Sequence, residues 1–430
     1  MERQEVDVLA IGAGPANLAL AVALEELAPE VARNAIVIEQ HDDVVWQRGM
    51  LLPWSQSQVS FLKDLVTMRN PRSRFSFVNH LHSIGRLDDF VNLGSFTPYR
   101  VEISSYLRWV ASELSDVQIQ YGRRCLAVEP RYSASGEITE WLVRLADGDE
   151  IVCRTLVVGA GRDPHVPDVF DGIPRDRLIH STQFSGRMAA LDPDATRRVV
   201  VLGGAQSAAE MLWTVHQQLP KALCTMVMRS IGLNCYESSK FTNELFYSSF
   251  VDDFHAARPE ARAQLLQEMH RTNYSGLAPD TLDVLYRQMY LDKLTGADNM
   301  QILTMVDVTG ARMDDDDVVL TLVDRRTGRP DELRCDLILL GTGFDRGMPK
   351  MVRHLAAALD LDDVTVSRNY RVDLPPSVRA RCYLQGVNEA THGIADSLLS
   401  VLAVRSAEIV EDLISGQPAP ELLATVPVPC

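Results

Sequence analysis

Residues 7–26 read DVLAIGAGPANLALAVALEE, and the fold turns on how that run is understood. DVLAIG is an apolar segment ending at glycine, as in a strand buried on both faces. LALAVALEE is rich in helix formers, and AIVIEQ at 35–40 supplies a second strand. Strand, tight turn, helix and strand in that order form a dinucleotide-binding unit. Within GAGPAN, Gly12 permits the turn, and Gly14 lets the backbone approach a pyrophosphate at the helix N-terminus, where free amides favour an anion. Glu39 closes the second strand at about the spacing at which such folds set an acid against a ribose hydroxyl. Asn17 occupies the third glycine position, so either the helix packs more loosely there or its amide serves the cofactor. A lone glycine motif is weak and also fits a plain turn, but its place after a strand, with Glu39 following, favours the nucleotide.

A second stretch, VVVLGGAQSAAE at 199–210, repeats the pattern less regularly. Gly203 holds the first position, Ala205 the second and Ala208 the third. Alanine at the second position crowds the phosphates. Arg229 ends the following strand, CTMVMRS, where an arginine can pair with a ribose 2′-phosphate and select NADPH over NADH. The plainer alternatives are a strand-to-helix turn and a solvated arginine. Two dinucleotides on one chain fit a flavin that receives hydride and a nicotinamide that delivers it.

With 430 residues, 46% of them hydrophobic, the chain can bury the cores of two or three domains. A formal charge of −16 argues against nucleic-acid and anionic-membrane partners, which attract basic faces. The start, MERQEVDVLA, lacks the pattern of a secretory signal, and no apolar run approaches the ~18 residues of a membrane span. Seven cysteines, with no CxxC pair, point to reduced thiols in a cytoplasm and to no metal site.

The order of patterns predicts an α/β protein with two Rossmann-like domains, the second inserted in the first, and a small, mainly helical region for substrate. Residues 1–165 and 335–430 form the FAD domain, 166–231 and 296–334 the NADPH domain, and 232–295 the substrate region. The strands near 155 and 337 are both expected to return the chain to the first sheet.

Several longer stretches carry a resemblance: WQRGMLLPWSQSQVSFLKDLVTMRNPRSRFSFVNHLHSIGRL at 46–87, KFTNELF at 240–246, HRTNYS at 270–275, LLGTGFD at 339–345 and NEATHGIADSLLSVLAVRSAEIV at 388–410. In this order, and across about residues 5 to 412, they resemble the amino-acid N-hydroxylating flavin monooxygenases, the L-ornithine N5- and L-lysine N6-monooxygenases of siderophore biosynthesis. The resemblance implies that NADPH reduces FAD, the flavin traps O2 as a C4a-hydroperoxide, and a side-chain amine attacks its distal oxygen, giving an N-hydroxy amino acid. It implies that Lys63 pairs with the substrate carboxylate, that Asn243 and Asn273 hold the substrate head near the cofactor, and that Ser400 lies near its amine end. Gln58 is placed beside flavin and nicotinamide, and counts with Lys63, Asn273 and Ser400 among the catalytic candidates. The cofactor candidates are Gly12, Gly14, Pro15, Asn17, Glu39, Gln40, Trp46, Gln58, Gly203, Gln206, Ser207, Arg229, Asn243, Gly343, His392 and Leu398. The family also implies a homo-oligomer, tetramer or dimer.

Elementary chemistry agrees with these roles. A zwitterionic substrate head needs a cation and neutral amides, and Lys63, Asn243 and Asn273 supply that set. A primary ammonium, with a pKa of about 10.4, is a poor nucleophile at pH 7, so the site must favour the neutral amine. The sequence departs from the family at Gln56 and Ser57, where relatives often carry a basic and a sulfur-containing residue, at Lys240, where proline is common, and at Ala205. Lys240 is either solvated or able to meet a second carboxylate. His392 is expected beside the flavin rather than as a proton shuttle, His180 as a contact to the domain linker rather than a catalyst, and MDDDD at 313–317 as a solvated hairpin turn. L-Ornithine is the expected substrate, with lysine, another amino acid or a diamine as alternatives. A flavin disulfide reductase would need a redox cysteine pair that is missing, while an NADPH oxidase or a nucleotide-binding regulator stays open.

Overall fold

The computed structural model describes residues 3–297 and 299–415. β1 (Arg3–Ile11) leads through the first glycine turn into α1 (Pro15–Leu27), then α2 (Pro29–Ala32) and β2 (Ala35–Ile38). Leu18 to Leu24 are all buried in α1, because a helix apolar on every side must be covered on every side. Three helices follow, α3 (Phe77–Ser83), α4 (Leu87–Leu93) and α5 (Arg100–Glu113), then β3 (Gln118–Gln120), β4 (Cys125–Tyr132), β5 (Ile138–Leu145) and β6 (Glu150–Val158). These strands form one sheet in the order β3-β2-β1-β6-β5-β4. The first half of β6 pairs antiparallel with β5, and its second half pairs parallel with β15 (Arg381–Leu384).

The second unit begins with β7 (Leu178–His180), α6 (Phe184–Met188), β8 (Arg198–Leu202), α7 (Gln206–Gln218) and β9 (Leu223–Val227). Four helices then run in succession, α8 (Lys240–Glu244), α9 (Phe250–Ala256), α10 (Pro259–Asn273) and α11 (Pro279–Thr295). They are followed by β10 (Met300–Leu303), the antiparallel β11 (Val306–Asp314), β12 (Asp317–Asp324) and β13 (Pro330–Cys335), and β14 (Leu337–Leu340). The second sheet is wholly parallel, in the order β10-β9-β8-β14-β7. After α12 (Lys350–Ala358) the chain reaches β15, then α13 (Glu389–His392) and α14 (Leu402–Ser415).

One strand departs from expectation. β14 joins β8 and β7 of the second sheet, so the chain returns to the first sheet at β15, not near 337. Asp336 fixes that choice: its carboxylate accepts from the Arg198 amide at 2.7 Å and from the Arg198 guanidinium at 2.5 Å, aligning β14 with β8. LILLG and VVGAG are both fully apolar runs ending in glycine, and periodicity cannot say which sheet such a run enters.

A buried ion pair joins the two units. Arg100 of α5 meets Glu210 of α7 through two bonds of 2.8 and 2.7 Å, with side chains only 6% and 1% exposed. Gln206 donates to the same carboxylate at 2.8 Å. Removing one partner leaves a buried charge without compensation, which typically costs about 3–5 kcal/mol. Arg100→Ala is expected to lower the unfolding free energy by about 3 kcal/mol in urea titration, and Arg100→Leu with Glu210→Leu to recover most of it. Equal losses in the single and double variants would rule out the uncompensated charge as the cause.

Candidate active site

α1 and α7 both start at glycine turns and both point their N-termini into one cavity of about 1230 Å3. That exceeds the roughly 300–1,000 Å3 of an ordinary small-molecule pocket. Neither N-terminus is capped by a side chain, so both leave amides and positive dipole ends for an anion. Gly12 has φ +92° and Gly203 φ +131°, a region that resists a side chain. Gly14 has an ordinary φ of −72°, and a Cβ added to it would meet only open space. Its glycine is required by nothing in the protein itself, which is what close approach of a phosphate predicts.

The two units solve helix packing by a matched device. Behind the first turn, a Cβ on Gly159 would fall 2.6 Å from the Asn17 amide nitrogen; behind the second, one on Gly341 would fall 2.6 Å from the Ala208 Cβ. The space that a third glycine would give is thus supplied from the opposite strand end. Asn17 is fully buried, donates to the carbonyls of Ile11 and Gly12 at 2.9 and 2.8 Å, and accepts from Gln385 at 2.8 Å. It does not line the cavity, so its expected cofactor contact is corrected to a packing role.

Glu39 lies on the wall, where its carboxylate accepts from the Ala13 amide at 2.8 Å and the His41 amide at 3.0 Å. Pro15, Gln40, Trp46, Gln58, Gly203, Gln206, Ser207, Arg229, Asn273, Gly343 and Leu398 share that wall with Gly12 and Gly14. Gln206 is held by Thr281 and the Ala278 amide as well as by Glu210. Ala205 is the N-cap of α7 and also faces the cavity.

Lys63 and Ser400, expected at opposite ends of the substrate, come together beside this space, Nζ to Oγ at 3.3 Å, so in this arrangement both stand at one end. Lys63 lines a small cavity with Phe61, Asp64, Tyr106 and Leu399, the Asp64 carboxylate accepting from the Val66, Thr67 and Phe77 amides; Leu399 lines the large cavity too, so the lysine stands just behind the common wall. Among the described residues Lys63 has no carboxylate within ion-pair distance. Burial pulls its pKa below the usual lysine value.

Two other candidates stand elsewhere. Asn243 is exposed on α8 and lines neither cavity. That short helix buries no residue, so nothing packs it against the wall, and the expected grouping with Lys63 and Asn273 is not made. His392 is buried off the wall, stacked on Tyr370 at 4.2 Å, with Nε2 3.1 Å from the Arg368 carbonyl. Burial lowers its pKa to about 4, so it packs as a neutral group behind the cavity wall.

The departures also resolve in space. Gln56 is exposed and lines neither cavity, whereas Ser57 is buried and bonds to the Val59 carbonyl at 3.1 Å. Lys240 is exposed and away from both cavities. His180 lies 3.0 Å from the Gly343 carbonyl, in the segment past β14 that pairs with 163–165 and links the two units. The acidic run makes the β11–β12 turn, yet two of its members are paired, Asp314 with Arg334 and Asp317 with Arg198. No cluster suited to a metal occurs among the described residues. Sequence reasoning missed Arg100, Arg162, Tyr274, Glu389 and Arg405, all on the wall. Tyr274, Glu389 and Arg405 fall inside the stretches HRTNYS and NEATHGIADSLLSVLAVRSAEIV that carry the resemblance, and Arg162 directly follows the glycines ending VVGAG, so a signal for each was at hand.

Comparison with known proteins agrees with this architecture. A profile of the L-lysine 6-monooxygenase/L-ornithine 5-monooxygenase family matches residues 4–346. This chain belongs to that family. A curated L-ornithine N(5)-monooxygenase of Burkholderia cepacia is 38% identical, covering 91% of each chain, and one of Pseudomonas aeruginosa is 36% identical over 94% of this chain and 92% of its own. The solved ornithine N-hydroxylase of Kutzneria sp. 744, with reduced FAD, NADP+ and L-ornithine, superposes with a TM-score of 0.89 at 34% identity, covering 96% of this chain and 99% of that one. The family member described here is therefore an N-hydroxylating flavin monooxygenase with two dinucleotide-binding units.

Proposed function

We propose that this monooxygenase hydroxylates the side-chain amine of L-ornithine, giving N5-hydroxyornithine for hydroxamate biosynthesis, with FAD on the first glycine turn and NADPH on the second. The observation that carries the substrate reading is Lys63, a half-buried cation beside Ser400 and without a carboxylate of its own. A buried cation calls for an anion, and the α-carboxylate of an amino acid is the anion at hand. The ornithine relatives favour that chain length over lysine.

The residues present suit both cofactors. Gly12 to Pro15, Glu39, Trp46 and Gln58 would hold FAD, and Gly203 to Ser207 with Arg229 would hold NADPH. Bound there, the flavin supplies oxygen-activating chemistry and NADPH the two electrons. Lys63 fixes the carboxylate end of the substrate, and Asn273 and Gln58 offer amide donors and acceptors farther along. Leu398, Leu399 and Leu402 give an apolar stretch of wall that disfavours water and the charged form of the amine. A neutral amine keeps the lone pair that attacks oxygen.

We further propose a homo-oligomer. Tyr286, Tyr290 and Leu294 lie on one exposed face of α11 with Leu291 beside them, an apolar strip of the kind that a second copy covers. Light scattering on the purified protein is expected to give a dimer or tetramer, and Leu294→Glu to weaken it; a monomer at micromolar concentration would reject self-association. Among the described residues no helix is long and apolar enough to cross a membrane. The six cysteines described are free thiols, which supports a cytoplasmic setting.

The decisive assay compares NADPH consumed with hydroxylated amine formed over ornithine, lysine and cadaverine. Ornithine is expected to give hydroxylamine nearly equal to NADPH consumed. Peroxide in full stoichiometry with every amine would instead identify an oxidase.

A further inference from the structure

One corner of the large cavity carries opposite charges. β9 runs out into Met228, Arg229 and Ser230, and β11 begins with Val306, Asp307 and Val308; all six line the cavity. The two segments are stitched together by backbone bonds from Val306 to the Met228 carbonyl and from Met305 to the Ser230 carbonyl, both 3.0 Å. Met305 sits at φ +58°, a left-handed conformation unusual for a bulky side chain, and it places Asp307 on the wall near Arg229.

An acid at that corner is awkward for a 2′-phosphate. Carboxylates at the adenosine ribose favour the unphosphorylated hydroxyl, whereas arginine favours the phosphate. Asp307 does not stand alone, however. Arg325, just beyond the end of β12 and off the cavity wall, places Nε 2.9 Å from its carboxylate, and its Nη1 donates to the Arg229 carbonyl at 3.3 Å. The Arg325 amide donates to the Met305 carbonyl at 2.7 Å, which ties the pair to the stitched segment. With side chains 45% and 33% exposed, the pair contributes little to stability.

We propose that Arg325 is a specificity-determining residue: by neutralising Asp307 it lets Arg229 accept a 2′-phosphorylated nicotinamide nucleotide. Arg325 acts through Asp307 and touches no ligand itself. The proposal rests on Arg229 facing the 2′-phosphate, and the test separates the two claims. Calorimetry gives the Kd of NADP+ and NAD+, and of 2′-AMP and 5′-AMP, for the FAD-loaded wild type, Arg229→Ala, Arg325→Ala, Asp307→Asn and Arg325→Ala with Asp307→Asn.

Freeing one carboxylate about 6 Å from a dianion, under water-like screening, corresponds to roughly a tenfold change in affinity. Arg325→Ala is thus expected to raise the Kd of NADP+ and 2′-AMP about tenfold and to leave NAD+ and 5′-AMP within about twofold. Adding Asp307→Asn restores NADP+ binding to within about twofold of wild type. If the double variant stays as weak as Arg325→Ala, Arg325 touches the phosphate directly and the proposal is wrong. It is equally wrong if Arg325→Ala keeps the wild-type preference while Arg229→Ala loses it. If Arg229→Ala also keeps it, the reading of Arg229 fails first and takes the proposal with it. Should the alanine variant not fold, Arg325→Gln removes the same charge while retaining a donor toward the Arg229 carbonyl.

Discussion

Lys63→Ala is expected to raise the KM for ornithine by about one to two orders of magnitude and to leave the KM for NADPH within about twofold, because breaking a fully buried ion pair from one side costs about 3–5 kcal/mol and a half-buried one roughly half of that. What favours Lys63 is a cation that is half-buried, beside Ser400 and with no carboxylate partner among the described residues; it stands behind the wall of the large cavity, not on it. Steady-state kinetics with a second amine make the test specific. Cadaverine lacks the carboxylate, so the substitution should change its KM little. A comparable loss for both amines, or for NADPH, would remove Lys63 from the carboxylate site.

The same residue sets a pH dependence. Burial lowers the Lys63 pKa, so its cation, and with it the grip on the carboxylate, is lost as pH rises through a value below the usual lysine range. The substrate amine changes in the opposite sense, gaining its reactive neutral form as pH rises. The profile of kcat/KM for ornithine is therefore expected to rise and then fall, and Lys63→Ala to abolish the descending limb. For folding, a lysine whose native pKa is lowered binds protons more weakly in the native state, so it costs stability while protonated and that cost fades as pH rises.

Gly14→Val is expected to give a folded but colourless protein. At φ −72° the backbone accepts a side chain, and open space surrounds the new Cβ, so the thermal midpoint of the unliganded protein should move by only a few degrees. The valine would occupy the approach of the flavin pyrophosphate to α1, with retained FAD falling by at least about tenfold. Gly12→Val makes the contrast: at φ +92°, with a Cβ 3.0 Å from the Gly159 carbonyl, it should lose stability as well as flavin. Absorbance at 450 nm and a melting curve on each variant decide the matter. A yellow Gly14→Val protein would place the pyrophosphate elsewhere.

Much of this was legible in the sequence because it is local. Gly12, Gly14 and Glu39 keep fixed offsets along one strand, turn, helix and strand, and the structure gathers them on one wall. The second turn was equally readable despite Ala205. What failed depended on contacts between distant segments. Asn17 was ambiguous because Gly159 and Gln385, which define its surroundings, lie far along the chain. β14 went to the other sheet because Asp336 pairs with Arg198, a choice that no apolar pattern records. Asn243 belongs to a motif with a clear family match, yet its five-residue helix has no buried face to seat it. Lys63 and Ser400, far apart in the sequence, were singled out only through the family resemblance.

The placement of α14 has a consequence for biosynthesis. Leu402, Ile409, Val410 and Leu413 lie in the same core as Leu18, Leu20 and Val22 of α1, and β15 completes the edge of β6. At roughly 5–20 residues per second, the ribosome delivers these partners some 20–80 seconds after α1 has left it. Until then the oily N-terminal helix is covered only where α2, β2 and α5 reach it, through Val31, Val37, Leu107 and Val110, and the side that α14 closes stays open. The first unit should therefore be the last to close in the cell, with the uncovered side of α1 a natural client of a holding chaperone until α14 is made.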